Sequence, residues 1–514
     1  MEPEMKLDTY TTELLESICK ESQQPVSESI EDEIGRLYKT ACEQEKTGPI
    51  VRLFSRLKEL SEENRVTSLS RQQLEELAFK HQDIDEHMVS IGGRVGQALA
   101  IAENANSRVV GYLAKKDTEA PSGIELWAQI RENRQRIQKK LGMEDKDWNS
   151  FQGQIRNVVD SVEQLGKLID LPSSALQDIA RVTKNYRMRL TPYYTSLIMP
   201  GVVNDPVMLQ SVPTGEMVDN AGIEIPPVAA DHSPARLVDQ FYPRVVTIKS
   251  TNMCAMYCTH CLRIAHIGKK DKMFSKEAYG EALDYIRTHD QIRDVLVTGG
   301  DAFILPNSLL RWLLEQLDAI EHVKVKRLGT RVPVTVPMRI DDELLDILEE
   351  SNDRKPLRVV TQINTAQEVT PVSREGFKKI SKRVSAVLNQ AVLLRGINDS
   401  SVKMWKLCET IQEAYVRPYY IFNCSYRNPQ FVHFRVPVEV GRDIVESMYG
   451  NISGDAIPRY IATAGGKIPM HRSNVVGREG DELILRKPWN GEEVRYPDAD
   501  MKEYEKDSFS FSRY

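Results

Sequence analysis

The stretch that decides the fold runs Val245-Val-Thr-Ile-Lys-Ser-Thr-Asn-Met-Cys254-Ala-Met-Tyr-Cys258-Thr-His-Cys261-Leu-Arg263. It opens on a β-branched run, Val245–Ile248, with the composition of a buried strand. It continues into three cysteines spaced C-x3-C-x2-C. Three clustered thiolates can ligate three irons of a 4Fe–4S cluster and leave the fourth iron open to chelate a small molecule and pass it an electron. The residues alone leave a second reading open: Cys258 and Cys261 form a C-x2-C, and His260 or His266 completes a tetrahedral zinc shell.

Downstream of this strand, short β-branched runs alternate with amphipathic segments. The strand-like runs are Asp294–Thr298, Val323–Leu328, Val359–Ile363, Ala391–Leu394 and Arg417–Phe422, with helical patterns at Ser275–His289 and Asp341–Glu350 among them. Alternating strand and helix means an α/β fold with a parallel sheet. About six units predict a partial barrel, in which reactive groups sit on loops at the C-terminal ends of the strands. The cysteines follow the first strand, where that rule places a site.

Two glycine motifs stand out beyond the cysteines. Thr298-Gly299-Gly300-Asp301 closes the second strand. Its glycines let a ligand approach the backbone, and Asp301 can accept from an ammonium group; an ordinary turn is the alternative. Ala464-Gly465-Gly466-Lys467-Ile468-Pro469 places a lysine where backbone bulk is least. A planar ligand fits beside it, and lysine forms Schiff bases with aldehydes such as pyridoxal phosphate. A surface-turn or phosphate-contacting lysine is the alternative.

Composition narrows the class. The 514 residues are 41% hydrophobic and carry a net charge of −6, enough for sizeable cores and no general attraction to nucleic acid or anionic membrane. Only seven cysteines occur; Cys19, Cys42, Cys408 and Cys424 are scattered, which is no disulfide framework and fits a reducing cytoplasm. The N-terminus lacks a basic region followed by an apolar run, and no stretch is long and apolar enough to span a bilayer. Residues 1–115 read as a separate helical extension, with Ile30, Ile34, Leu37, Tyr38 and Ala41 at helical spacing and a capping box from Ser70 to Gln73. Leu113–Gly123 reads as a linker. Residues 116–240 form a segment packing on the barrel, helical to about 190 with Ile124, Trp127, Ile130, Ile137 and Leu141 on one face. Residues 191–240, rich in proline, are expected to wrap a surface. The barrel occupies 241–435 and a C-terminal segment with Lys467 occupies 436–514.

The chain resembles the lysine 2,3-aminomutase family, radical S-adenosylmethionine enzymes that also use pyridoxal phosphate. The matching stretches include Met188–Leu197, Gln210–Pro213, Cys254–Cys261, Arg293–Ala302, Leu328–Pro333, Asn389–Asp399, Val416–Ile421 and Gly465–Lys467. They occur in order across residues 124–490. The resemblance implies that the partial (β/α)6 barrel is of the radical S-adenosylmethionine type. It implies that Cys254, Cys258 and Cys261 ligate a 4Fe–4S cluster and that Gly299, Gly300, Asp301 and Gln390 meet S-adenosylmethionine. It also implies that Lys467 holds pyridoxal phosphate near Tyr242, and that Arg263 pairs bidentately with the substrate α-carboxylate. The implied reaction moves an amino group from the α- to the β-carbon of a free amino acid. The implied partners are a reductant such as flavodoxin or ferredoxin and further copies of the chain.

The departures bear on the substrate. Lysine-specific members hold the substrate ammonium with two carboxylates; here Ser425 and Thr463 stand at those places. A buried ammonium without a counter-charge costs several kcal/mol, so lysine is not the expected substrate. Arg427, His471 and Arg472 nearby point to an acidic side chain, aspartate or glutamate. The arginine near the cofactor phosphate is out of register (Arg244 against Val245), and Phe422 replaces a tyrosine near the ring. No cysteine follows Cys424, so the family's zinc site is not expected. A radical decarboxylase on the same cofactors and a non-catalytic iron–sulfur scaffold are the competing functions.

Overall fold

The computed structural model describes residues 93–202, 204–220, 233–272 and 274–506. The sequence readings at Ile30–Ala41 and Ser70–Gln73 lie outside them. The chain divides into two compact units, Met1–Gly111 and Tyr112–Tyr514. The described part of the first holds the helix Gly93–Ser107.

The second unit is built on a nine-stranded sheet whose spatial order is the order of the sequence. Its strands are β1 (Val238–Tyr242), β2 (Val245–Thr251), β3 (Asp294–Gly299), β4 (Val325–Gly329), β5 (Leu357–Thr361), β6 (Ala386–Leu393), β7 (Arg417–Asn423), β8 (Arg459–Thr463) and β9 (Lys467–Pro469). Strands β2 to β8 run parallel; β1 and β9 close the two edges antiparallel. The six expected units are present, with a seventh parallel strand and two edge strands that the short segments near 240 and 467 did not announce. A second sheet of β10 (Val475–Glu479), β11 (Glu482–Arg486) and β12 (Glu493–Pro497) follows.

Helices connect the parallel strands, and local sequence starts them. Ser275 caps Lys276–Arg287, Asp341 caps Asp342–Arg354 and Ser400 caps Ser401–Glu413, each accepting a backbone N–H of the first turn. Thr370 and Ser373 form a capping box for Pro371–Ser381. Their apolar faces bury residues such as Leu283, Leu313, Leu348 and Ile380 against the sheet.

Burial alternates along the strands. In β2, Val246 and Ile248 are buried while Val245, Thr247 and Lys249 are half-buried. Arg327 in β4, Gln390 in β6 and Tyr420 and Phe422 in β7 are likewise half-buried in central strands. The concave face is therefore an accessible, polar-lined lumen rather than a packed core.

Two sequence expectations are corrected. Leu113–Gly123 is no linker: the helix Val110–Glu119 continues through it, Tyr112 lies 5.0 Å from the Trp405 ring, and Lys406 Nζ bonds Asp117 at 2.6 Å and Glu125 at 2.5 Å. The described residues from 191 to 212 do not wrap a surface. Tyr193, Tyr194, Leu197, Val207 and Val212 join Ile130, Ile137 and Trp148 in one core cluster that includes Met256 of the cysteine loop. Proline there starts short helices at Pro192 and Pro206, where its missing N–H is not needed. Ile124 falls off the expected helical face and is exposed.

Candidate active site

The cysteine loop leaves the C-terminal end of β2 and is pinned from both sides. Tyr257 N–H donates to Arg189 O at 3.1 Å, and Thr259 donates from its N–H to Gln210 O at 3.1 Å and from Oγ1 to Leu209 O at 2.8 Å. Asn252 Nδ2 donates to Ile267 O and Lys270 O, and Asn252 Oδ1 accepts from Lys272 N–H at 2.8 Å, fastening the segment after Cys261 back to the strand. Met256 reaches into the core beneath.

The three thiols are free and close enough to influence one another. Burial pushes the Cys254 thiol well up, with Asp301, Cys261 and Cys258 adding to it. Burial and the neighbouring Cys258 push Cys261 up to about 12. The nearby arginines (Arg189 at Cys254, Arg263 and Arg331 at Cys261) oppose this only in part, and a cationic cluster would supply the remaining charge. Among the described residues no three His, Cys, Asp or Glu side chains converge on one ion; a cubane spreads its thiolates over three irons and does not require that convergence.

Arg331, after β4, organises the surroundings. Its Nη1 donates to Cys258 Sγ at 2.7 Å, and its Nη2 donates to Glu368 Oε1 at 2.6 Å and Gln210 Oε1 at 3.0 Å. Its backbone N–H donates to Asp301 Oδ2 at 2.6 Å. The Cys258 sulfur and Glu368 hold this guanidinium well above its usual range against the opposing effect of burial. His260, between Cys258 and Cys261, lies near Asn364 Nδ2 at 3.3 Å and is kept neutral by burial, down to about 3. Gln210 Nε2, Thr361 Oγ1 and His260 Nδ1 are buried without a hydrogen-bond partner. Orphaned polar atoms at the strand ends fit a polar ligand beside the cluster. The role of Arg331 is not legible in the sequence, because a charged residue's burial is not visible in a chain of letters.

The glycine motif after β3 has a reason beyond ligand approach. Gly299 has φ +117°, and a Cβ on Gly300 would lie 2.2 Å from Met253 O. The glycines let the cysteine loop dock on β3, with Gly300 N–H donating to Thr251 O at 2.5 Å and Asp301 N–H to Met253 O at 2.9 Å. The Asp301 carboxylate is already engaged, by Phe303 N–H at 2.9 Å and Arg331 N–H. It braces the loops after β3 and β4.

Lys467 opens β9, directly after a turn that needs its glycines. Gly465 and Gly466 adopt φ +66° and +145°, and the Trp489 ring lies where a Gly466 Cβ would be. Lys467 N–H donates to Tyr242 Oη at 2.9 Å. The ammonium group sits 4.7 Å from the Tyr420 ring centroid and 5.5 Å from that of Phe422. Burial, helped by the Arg327 charge and opposed by Asp294, lowers its pKa to about 8. A half-buried lysine beside aromatic rings, its pKa lowered to about 8, fits a Schiff-base aldehyde with a planar ring.

The substrate candidates scatter. Arg263 lies beside the cysteine loop, Nη1 donating to Thr298 Oγ1 at 3.2 Å, with Asp239, Cys261 and Cys254 nearby. Gln390 sits within β6, opposite Tyr420, rather than at a strand end. Ser425 is half-buried after β7 and its Oγ accepts from Arg427 N–H at 3.1 Å. The Arg427 guanidinium carbon lies 5.8 Å from the Tyr426 ring centroid. Thr463 pairs across β8 and β9 with Lys467. Arg472 is on the outside, 2.8 Å from Glu446, and His471 is exposed, so neither supports a pocket charge. The lumen cation that sequence reading missed is Arg327, bonded to Asp294 Oδ1 at 2.7 Å and close enough to influence Lys467.

Residues 248–406 match the Radical SAM superfamily. With the three-cysteine loop after the first parallel strand, this defines a radical S-adenosylmethionine enzyme, the class that works with a 4Fe–4S cluster and S-adenosylmethionine. The chain is 36% identical over 405 residues to glutamate 2,3-aminomutase of Clostridioides difficile, covering 78% of this chain and 94% of that protein. It is 37% identical over 347 residues to L-lysine 2,3-aminomutase of Clostridium subterminale, covering 66% and 82%. It is 35% identical over 382 residues to that of Bacillus subtilis, covering 73% and 77%. The chain belongs to the lysine 2,3-aminomutase family, radical isomerases that act on amino acids. Among the described residues no helix is long and apolar enough to cross a membrane.

Proposed function

We propose that the protein is a pyridoxal-phosphate-dependent 2,3-aminomutase whose substrate is an acidic amino acid, glutamate or aspartate. The observation that carries the cofactor reading is Lys467: half-buried, lowered to about 8, flanked by Tyr420 and Phe422 and tied to Tyr242. The substrate reading rests on Ser425 and Thr463, neither of which can balance a cationic side chain, and on the relative named glutamate 2,3-aminomutase, matched over nearly its full length.

Bound at Cys254, Cys258 and Cys261, the cluster supplies the electron that cleaves S-adenosylmethionine; pyridoxal phosphate supplies the electron sink for a migrating nitrogen. The chain's own work is binding, orientation and exclusion of water. Arg263, half-buried and planar, receives the substrate α-carboxylate in a two-pronged contact. Arg331 keeps the Cys258 thiolate compensated and, through its backbone N–H, holds the Asp301 loop in register with the cysteine loop. Tyr242 fixes the backbone from which Lys467 reaches the lumen. The Tyr420 and Phe422 rings present an apolar wall that keeps the Lys467 amine partly unprotonated.

Reconstituting the protein anaerobically and incubating it with S-adenosylmethionine, dithionite and single amino acids tests the reading. A β-isomer of glutamate or aspartate is the expected product by mass analysis and chromatography. Loss of carbon dioxide, or turnover of lysine in preference to both acids, refutes it.

A further inference from the structure

A cluster that must be reduced on every activation needs a face through which electrons arrive. Cys258 and Cys261 line a cleft of about 230 Å3 that lies between the segment around Asn185 and Arg187 and the turn Ala265–Lys269. Asn185, Ala265, Gly268 and Lys269 are exposed, so the cleft reaches the surface.

The rim is strongly basic in a chain of net charge −6. Segments 184–189 and 264–272 hold Lys184, Arg187, Arg189, Lys269, Lys270 and Lys272 against a single acid, Asp271. Arg187 and Arg189 share that acid. Lys184, Lys269, Lys270 and Lys272 are exposed and form no ion pair among the described residues. The lysines are not on a loose loop: Asn252 bonds the backbone of residues 267, 270 and 272. The patch is thus a fixed cluster of like charges, whose mutual repulsion is relieved by an acidic partner.

We propose that this face is the docking surface for an acidic one-electron carrier protein, with the cleft at Cys258 and Cys261 at its centre and Lys269, Lys270, Lys272 and Lys184 around it. The inference rests on the cluster reading above. One electron leaves the reduced carrier, which is oxidised, and enters the cluster at Cys254, Cys258 and Cys261, which is reduced; no bond is made or broken at the face. Proximity of Cys258 and Cys261 to the cleft makes this the short path for a transfer that weakens steeply with distance.

The test uses the full-length holoenzyme and the double variant Lys269→Glu/Lys270→Glu, with reduced flavodoxin and reduced ferredoxin, both acidic carriers, as probes. Cleavage of S-adenosylmethionine driven by dithionite is expected to be unchanged in the variant, since neither lysine touches the cluster or the lumen. Cleavage driven by the carrier protein is expected to need about tenfold more carrier at low salt, and the wild-type dependence on ionic strength to flatten in the variant. Binding of oxidised carrier measured by calorimetry is expected to weaken in parallel, in protein with and without iron. Lys269→Gln/Lys270→Gln falls between. Equal carrier dependence of variant and wild type, or failure of both carriers to reduce the wild type, overturns the docking surface. Absence of iron from the reconstituted protein overturns the cluster reading itself, which the dithionite arm reports separately.

Discussion

The backbone N–H of Lys467 donates to the Tyr242 hydroxyl at 2.9 Å, and this bond joins the last strand of the nine-stranded sheet to the first. The residues are 225 apart in sequence, and neither edge strand pairs with the other as a ladder. The contact therefore spans the open side of the barrel at the residue proposed to hold pyridoxal phosphate. Tyr242→Phe removes the acceptor and leaves a half-buried N–H unpaired. The expected loss is ~1 kcal/mol of stability by urea denaturation, with weaker capture of pyridoxal phosphate by the iron-free protein.

Lys467 supplies a pH test. Burial and the Arg327 charge disfavour its protonated form, so the reactive amine accumulates as pH rises through about 8. The rate at which the iron-free protein captures pyridoxal phosphate, followed by absorbance, should rise with a midpoint near that value. Arg327→Leu removes the like charge and frees Asp294, and both changes favour the ammonium; the midpoint should move up. Borohydride should fix the cofactor to Lys467, and label on any other lysine contradicts the assignment.

Arg331 is expected to be far more sensitive than a surface arginine. Its partner Glu368 is fully buried, and Arg331→Met strands that carboxylate without a counter-charge. Breaking a buried pair in this way costs ~3–5 kcal/mol. Urea denaturation should show that loss, and iron content after reconstitution should fall. Arg331→Lys keeps the charge but not the planar fork that reaches Cys258, Glu368 and Gln210 together; it should recover much of the stability and little of the iron retention.

Gly300→Ala tests the docking of the cysteine loop on β3. The added Cβ would stand 2.2 Å from Met253 O, a backbone atom that cannot swing aside. The loop must shift by more than an ångström. The expected outcome is poor cluster incorporation, measured as iron per chain, with far-UV dichroism unchanged.

The substrate charge can be reversed by design. Ser425→Asp with Thr463→Asp restores the two carboxylates at the places where lysine-specific relatives carry them. A close charge pair of this kind is worth ~2–5 kcal/mol, so the double variant should bind lysine at least tenfold better and glutamate worse, read as KM values in the isomerisation assay. Unchanged preference would show that these positions do not face the substrate side chain.

Much of this protein was legible in its letters. Alternating β-branched and amphipathic runs determined the parallel sheet, because a strand buried on one face by helices needs that pattern regardless of distant partners. The C-x3-C-x2-C spacing and the glycine–lysine turn are local, and local geometry survives the reading of one chain. What only the tertiary structure decided is of another kind. Tyr193 and Tyr194 look like members of an irregular segment, yet they are core, because burial depends on what is packed above them. Gly300, read in the sequence for ligand approach, is also the seat of another loop. Arg472 reads as a pocket charge and faces Glu446 outside, while Arg327 and Arg331, unremarked in sequence, reach Lys467 and Cys258. Charge and burial are properties of neighbours brought together from far along the chain, and the parallel sheet is what brings them.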